Sequence, residues 1–395
     1  MADAYTSTGS ASLGGTVGSA GLVQKAYDRL VEFALRSQPL LRSVADKRPS
    51  PGTLPGSSIA LQLYNDLSAA TSTLSETVDP DAVALATPNQ VVVTLNEYGN
   101  AVVTTRKLQL FSLADVDPAV ANIVAYNMAD SIDKLVMTEL RGGTNVRYSR
   151  DSSDTPTSTA TVEDTDTMKA ADIRFAVAKL RGQNAVPRKG SLYWVGIHPE
   201  VAHDLRAETG AASWRNPHEY QSNQEIWAGE IGQFEGAYFV ESNRLYAFGD
   251  GANATGVSAT APSGIVISGG VATVTDTTHG YKSGDFIAIS GATPAGLNAT
   301  WEITVTGANT YTFVTSLTGT VTGTLAAQKK TKVYRTIVAG QQALAEAVAE
   351  EPHVVIGPVT DKLMRLRPIG WYGVLGFKRY REDALFRIES ASTIA

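Results

Sequence analysis

The chain contains no cysteine. That excludes disulfides, thiolate metal sites and cysteine nucleophiles, and it suits folding in a reducing compartment. No uninterrupted apolar run approaches the ~18 residues that a membrane helix needs. The first 21 residues hold neither a basic region nor an apolar one, so no signal peptide is expected. Charge is scarce: Asp, Glu, Lys and Arg make up 18% of the 395 residues, against about 25% in an average globular domain. The net charge is −6, which argues against a protein that works by gripping phosphates, since that needs a basic footprint. With 43% hydrophobic residues the chain is nonetheless globular, with room for two or three domains. An uncharged surface of this kind fits a protein much of whose exterior is held in contacts.

Motifs for chemistry are also missing. There is no HisGluXXHis, no GlyXSerXGly and no complete phosphate loop; Gly280, Lys282 and Ser283 imitate only the end of one. His198 and His203 are five residues apart, about 140° around a helix, so they cannot jointly chelate. His198 reads as a helix cap, and Glu200 lies between the two histidines. Asp79 with Asp81, and Asp164 with Asp166, read as solvated turn residues, since no third ligand and glycine complete a calcium loop. Asn253 and Asn298 sit in AsnAlaThr sequons that have no route to a glycosylating compartment. No catalytic, cofactor-binding or metal-binding residue is expected, and no cofactor. One basic cluster exists, Arg365, Arg367, Lys378, Arg379 and Arg381 with Phe377 and Tyr380 among them. Glu382, Asp383 and Glu389 follow it, so it reads as a charged strand meeting acidic partners across an interface rather than a nucleic-acid patch.

What is present is organisation. Residues 1–21 are rich in Ser, Thr, Gly and Ala and read as a flexible arm. Leu22 to Ser37 follows with a helical apolar stripe that must dock on the chain's own body or on a neighbour. A loop with three prolines (48–58) leads to a strand at Ile59–Tyr64. Two further runs, Gln90–Leu95 and Ala101–Leu108, flank GluTyrGlyAsn and predict a β-hairpin. Asp117 and Pro118 start a long helix. Its apolar stripe, including Ile123, Ile132 and Leu135, runs to Leu140, a rod of roughly 35 Å. A second helix is expected over Met168–Arg181, a strand over Ser191–Ile197, and a short helix from Pro199. Tyr238–Glu241 and Val354–Gly357 read as short buried strands. The centre of the chain is therefore α+β.

Between Arg244 and Lys329 the only cation is Lys282. Alternating runs at Val271–Val274, Asp285–Ser290, Trp301–Thr306 and Tyr311–Thr315 predict an all-β module over residues 250–330, inserted in a host that resumes at 331. The expected divisions are 1–37 (arm and helix), 38–249 (first part of the host), 250–330 (module) and 331–395 (second part of the host).

Four stretches in order carry a resemblance: 89–107 with its GluTyrGlyAsn; LeuTyrTrpValGlyIleHisProGluValAlaHisAspLeuArg (192–206); TrpAlaGlyGluIleGlyGlnPheGluGlyAlaTyrPheValGluSerAsn (227–243); and GlyPheLysArgTyrArgGluAspAlaLeuPheArgIleGluSer (376–390). Together they resemble tailed-bacteriophage major capsid proteins of the family shared with N-four-like phages, which has the Hong Kong 97 fold. The likeness spans residues 22–249 and 331–392. It implies an α+β subunit with an N-terminal arm, an extended hairpin loop at Gln90–Leu108, a peripheral domain carrying the long helix as spine, and an axial domain in the α+β centre. It implies self-assembly into pentamers and hexamers of an icosahedral shell around double-stranded DNA, with no sequence-specific DNA binding, no enzymatic activity and no membrane. A portal partner, and a scaffold or cement protein, would follow, with assembly in the bacterial cytoplasm and final residence in the virion. With 21 residues before the first helix, an N-terminal scaffolding domain is not expected. The segments 279–291 and 297–313 look like a small β module found in various phage structural proteins, here expected to decorate the outer surface or bridge capsomers. The rival reading is a surface adhesion or glycan-binding protein with the module as its ligand domain.

Overall fold

The structure is a computed structural model, and it describes residues 40–48, 58–64, 88–111, 116–151, 155–208, 230–357 and 365–394, with scattered residues between 67 and 84 and at 363. The helix expected at Leu22–Ser37 and the carboxylate of Asp81 lie outside these residues. The described chain falls into two compact units. The smaller holds residues 98–128 and 352–373; the larger holds 37–97, 129–351 and 374–395.

The larger unit is built on a six-stranded mixed sheet. Its strands run in the order Val146–Tyr148, Leu385–Ser390, Tyr334–Ala339, Tyr193–Ile197, Ala237–Glu241, Glu230–Phe234. Tyr193–Ile197 is buried along its whole length, as befits a central strand covered on both faces. It pairs in parallel with Ala237–Glu241, and the crossover between them carries the helix Pro199–Ala207. The helix Ala170–Gly182 buries Ile173, Ala176, Val177 and Leu180, which share one face at helical spacing. Phe175 meets Phe386 of the sheet edge-on at 6.1 Å.

The antiparallel hairpin forms one strand earlier than the sequence suggests. Ser58–Leu63 pairs with Asn89–Thr94, with Ile59 opposite Val93, and both pack with Ala347. GluTyrGlyAsn is not a turn: Glu97 to Asn100 continue the strand Asn96–Thr105, which neighbours Leu366–Arg379 instead. Gly99 serves close approach. A Cβ there would lie 2.7 Å from the carbonyl oxygen of Trp371, and one on Gly370 would lie 2.7 Å from that of Asn100. Glycine on both strands therefore lets the two backbones come together. In the same smaller unit the Thr104 hydroxyl donates to the Arg367 carbonyl at 3.1 Å, and the Trp371 indole donates to Asn127 Oδ1 at 2.9 Å.

The long helix spans Val116–Leu140. In its C-terminal half Ile132, Val136, Met137 and Leu140 are buried. Val124 is buried too, while Leu135 is only half-buried and Ile123 is 46% exposed, so the stripe read from sequence holds at its centre and these two residues lie at its edge. Val354, Val355 and Ile356 are the exposed end of the 13-residue strand Leu344–Ile356 rather than a short buried one. The first half of that strand is the buried half, and it pairs in parallel with Ala45–Arg48.

Residues 264–330 form two further sheets of their own. One is ordered Thr304–Gly307, Thr310–Val314, Val271–Thr275, Gly264–Ser268; the other Thr300–Glu302, Phe286–Ser290, Ala326–Lys330. Between them lies a contiguous core with Ala272, Val274, Ile287, Leu297, Tyr311 and Ala327 fully buried. Trp301 stacks on Phe313 at 4.7 Å and donates its indole N–H to the Leu297 carbonyl at 3.0 Å.

Candidate functional site

The histidine pair does not converge. His198 caps the helix Pro199–Ala207, its Nδ1 accepting from the Glu200 amide at 3.3 Å. Its ring lies against Tyr334 at 4.9 Å. Burial holds its pKa below the usual imidazole value, with Glu200 pulling it up and Lys332 pushing it further down. Glu200 accepts from the Tyr334 hydroxyl, and burial with that carboxylate keeps the phenol protonated. His203 is 60% exposed and faces its neighbour Asp204. The helix instead pins the end of the chain: the Ser392 hydroxyl donates to the Glu200 carbonyl at 3.3 Å, and the Thr393 amide donates to Asp204 Oδ2 at 2.9 Å. No pattern in the sequence announced this clamp, because its two halves are about 190 residues apart.

The other candidates are likewise occupied by structural work. Asp166 is not a solvated turn residue: it is fully buried and accepts from the Glu163 amide at 2.8 Å and the Asp151 amide at 3.0 Å. Asp164 accepts from the Thr255 amide at 2.8 Å. The Gly280–Ser283 turn is closed by Asp285, which takes the Lys282 amide at 2.8 Å. Asn298 clips its own loop, with both of its side-chain atoms bonded to the backbone of Ala292. Among the described residues no three His, Asp or Glu side chains gather in a way that could hold a metal ion.

The basic strand finds its acidic partners within the chain. Arg379 lies 3.8 Å from Glu382, and Lys378 lies 3.8 Å from Glu139. Arg379 also fills the space beside Gly142, where a Cβ would fall 2.3 Å from its Nη1. Arg48 lies over the Tyr380 ring at 4.7 Å.

Three buried carboxylates, by contrast, organise the larger unit. Asp133, on the long helix, accepts from the amides of Leu40 at 3.0 Å and Arg42 at 3.3 Å. It therefore holds the turn Leu41–Val44 against the helix. Burial raises its pKa, against those backbone donors and Arg244, which lower it. Asp172 takes Arg147 at 2.6 Å and the Ser149 hydroxyl at 3.0 Å. Glu389, wholly buried, takes Arg387 at 2.8 Å, Arg335 at 3.1 Å and the Thr159 hydroxyl at 2.6 Å. Arg335 also pairs with Asp250 and lies over the Phe248 ring at 4.4 Å. These side chains are spent on fixing strands and the ends of segments.

The model of the family described as phage capsid protein matches residues 47–395. The chain belongs to that family. The capsid protein is also similar over nearly its whole length to solved phage shells. It shares 14% identity with the capsid of cyanophage P-SCSP1u, at a TM-score of 0.58, covering 95% of each chain. With the capsid of cyanophage Pam1 it shares 12% identity at a TM-score of 0.59, covering 94% of this chain and 97% of that one. With the acid-stable capsid of Helicobacter pylori bacteriophage KHP30 the values are 13% and 0.56, with 95% and 97% covered. No curated protein sequence matches it. The fold is of the Hong Kong 97 type, and the capsid protein forms shells of many copies of itself and resides in the virion capsid. Among the described residues no helix is long and apolar enough to cross a membrane.

Proposed function

We propose that this capsid protein closes an icosahedral shell of pentamers and hexamers around the double-stranded DNA of a tailed phage, in the host cytoplasm, and performs no chemistry of its own. The observation that carries this reading is the family match over residues 47–395. It is supported by the way candidate chemical groups are consumed in structural contacts, His198 and Glu200 with Tyr334 above all. A net charge of −6 and a basic strand already paired with Glu139 and Glu382 suit a wall past which DNA slides rather than one to which it sticks. Portal contacts, and a scaffold or cement protein, complete the assembly.

Residues 250–330 act as an inserted module on the outer face of the shell, and residues 1–37 as an arm that reaches a neighbouring copy. The module has its own core, so the host can close without it. Its scarcity of cations makes it unfit to meet packaged DNA, which requires cations in place of released counterions. The test replaces residues 252–328 with a short Gly/Ser linker. Closed particles with less density at the outer radius are expected; density lost from the inner radius overturns the placement, and absence of particles makes the module an essential contact.

A further inference from the structure

At one place the chain turns from scarce cations to a run of them. Between Arg244 and Lys329 the only Lys or Arg is Lys282, and then Lys329, Lys330 and Lys332 fall within four residues. These three line a cavity of about 210 Å³, with Asp164 and Thr255 also on its wall. The cavity lies where the two-sheet segment passes into the six-stranded sheet: Lys330 ends the strand Ala326–Lys330, and Tyr334 opens the strand Tyr334–Ala339. The chain between them runs alongside an earlier segment. The Thr331 amide donates to the Ala252 carbonyl at 2.9 Å, and the Val333 amide to the Phe248 carbonyl at 2.8 Å. Side chains alternate along an extended chain. Thr331 and Val333 are buried, so Lys330 and Lys332 share the opposite side, where both are half-buried.

Lys329 has a partner in Asp285 at 3.0 Å. Lys330 and Lys332 have none: among the described residues neither enters an ion pair or a side-chain hydrogen bond. Ammonium groups drawn partly out of water without a counter-charge are costly, and two of them on one wall call for an anion. Asp164 is the single carboxylate of the cavity. Its Oδ2 accepts from the Thr255 amide at 2.8 Å, and its Oδ1 has no protein partner among the described residues. The ligand that suits this wall offers oxyanions to the lysines and a hydrogen to Asp164. Inorganic phosphate near neutral pH keeps a hydroxyl and does both. Sulfate and the phosphodiesters of nucleic acid have no such hydrogen. The size agrees, since the cavity exceeds the roughly 30 Å³ of a water and falls short of the roughly 300 Å³ of larger organic ligands. No aromatic ring lines it, so a nucleobase has nothing to stack on. We propose that this cavity binds inorganic phosphate, held by Lys330 and Lys332 with its hydroxyl donated to Asp164, and that the anion ties the two-sheet segment to the six-stranded sheet. One such site needs no basic footprint and is compatible with a net charge of −6. The inference goes beyond the shell reading and does not depend on it.

Isothermal titration of the full-length unassembled subunit with inorganic phosphate, near neutral pH and at constant ionic strength, should show one saturable site per chain with a Kd below about 1 mM. Lys330→Gln and Lys332→Gln should each weaken binding about tenfold or more. Lys282→Gln, an exposed lysine outside the cavity, should leave it unchanged. Sulfate should bind the unmodified chain at least about tenfold more weakly than phosphate, since Asp164 would then face an oxyanion with no hydrogen to accept. In Asp164→Asn that gap should close to within about threefold, because the amide keeps the Thr255 contact through its oxygen and offers a hydrogen to either anion. No saturable binding at millimolar phosphate overturns the proposal. So does binding that neither lysine variant weakens, or equal affinity for sulfate in the unmodified chain, a comparison that needs no variant to fold. Acetate that competes as well as phosphate shows a site for an acidic side chain, a short oligothymidylate that does so shows a site for the nucleic-acid backbone, and either result overturns it. Hydrogen exchange gives an independent reading: added phosphate should slow it at residues 252–257 and 329–333, and unchanged exchange there refutes the tie.

Discussion

Replacing Glu389 with alanine would leave two guanidinium groups, Arg335 and Arg387, each about 11% exposed, without the carboxylate that lies within 3.1 Å of both. Breaking a buried ion pair from one side costs about 3–5 kcal/mol, because the remaining charge stays buried. Here the cost falls at the lower end. Arg335 keeps Asp250 and the Phe248 ring, and Arg387 keeps the Arg141 carbonyl. About 3 kcal/mol, at roughly 2 °C per kcal/mol for a large domain, is a fall of about 6 °C in Tm. Differential scanning calorimetry of the unassembled subunit measures this without interference from shell contacts. The triple change Glu389→Leu, Arg335→Met, Arg387→Leu removes charge and partners together. It should recover stability to within about 1 kcal/mol of the unmodified chain, as buried ion clusters exchanged for apolar groups often do. A Glu389→Ala subunit that melts within about 1 °C of the unmodified one would refute the cluster as the joint between the two paired strands. A triple variant less stable than the single would refute the charge argument.

Further outcomes follow from other contacts. Gly370→Ala places a Cβ 2.7 Å from the Asn100 oxygen and should cost about 1–3 kcal/mol. Gly99→Ala breaks the same approach, so the double variant should cost less than the sum of the two, by denaturant titration. Burial lowers the His198 pKa in the folded chain, so below about pH 6.5 the unfolded chain takes up a proton that the folded one refuses. The stability that this contributes is complete above that pH and is lost as pH falls towards the folded value. His198→Asn keeps a capping acceptor and should lose less stability than the unmodified chain on acidification, while a parallel fall would acquit His198. Trp301→Ala removes the stack on Phe313 and should destabilise the module by about 3 kcal/mol. Hydrogen exchange should then quicken at strands 264–330 and leave Tyr193–Ile197 protected; loss of protection in both would make the module part of the host core.

Local chemistry was legible in the sequence wherever it decided the structure. Asp117 and Pro118 mark the start of a helix observed at Val116–Leu140, and His198 before Pro199 marks another. The strands Val271–Thr275, Phe286–Ser290 and Thr310–Val314 follow from alternation between polar and apolar residues. Gly264–Ser268 and Ala326–Lys330 escaped notice, the first hidden among glycines and serines and the second ending in lysines. Partner choice was the weak point. Glycine at 99 permits a turn or a close approach, and only Gly370, some 270 residues on, decides between them. On the long helix Val124, Ile132, Val136 and Leu140 of the apolar stripe are buried, but the stripe did not announce Asp133, which shares that buried face and bonds the Leu40 and Arg42 amides. Of the carboxylates that matter most, Asp133 and Asp172 carry no sequence signal and Glu389 is legible only as an acidic neighbour of the basic cluster, since each is defined by partners brought from other segments. The family likeness reached the function because it rests on the order of several stretches.

The central claim is that this chain, by itself or with its phage partners, closes into shells. Electron cryomicroscopy of the purified full-length protein, expressed alone and with its neighbouring gene products, tests it directly. The account predicts closed icosahedral particles whose subunits carry the Hong Kong 97 fold, with the two-sheet module resolved at the outer radius. Monomers that stay monomeric under every such condition, or an ordered assembly without pentameric vertices, would contradict it.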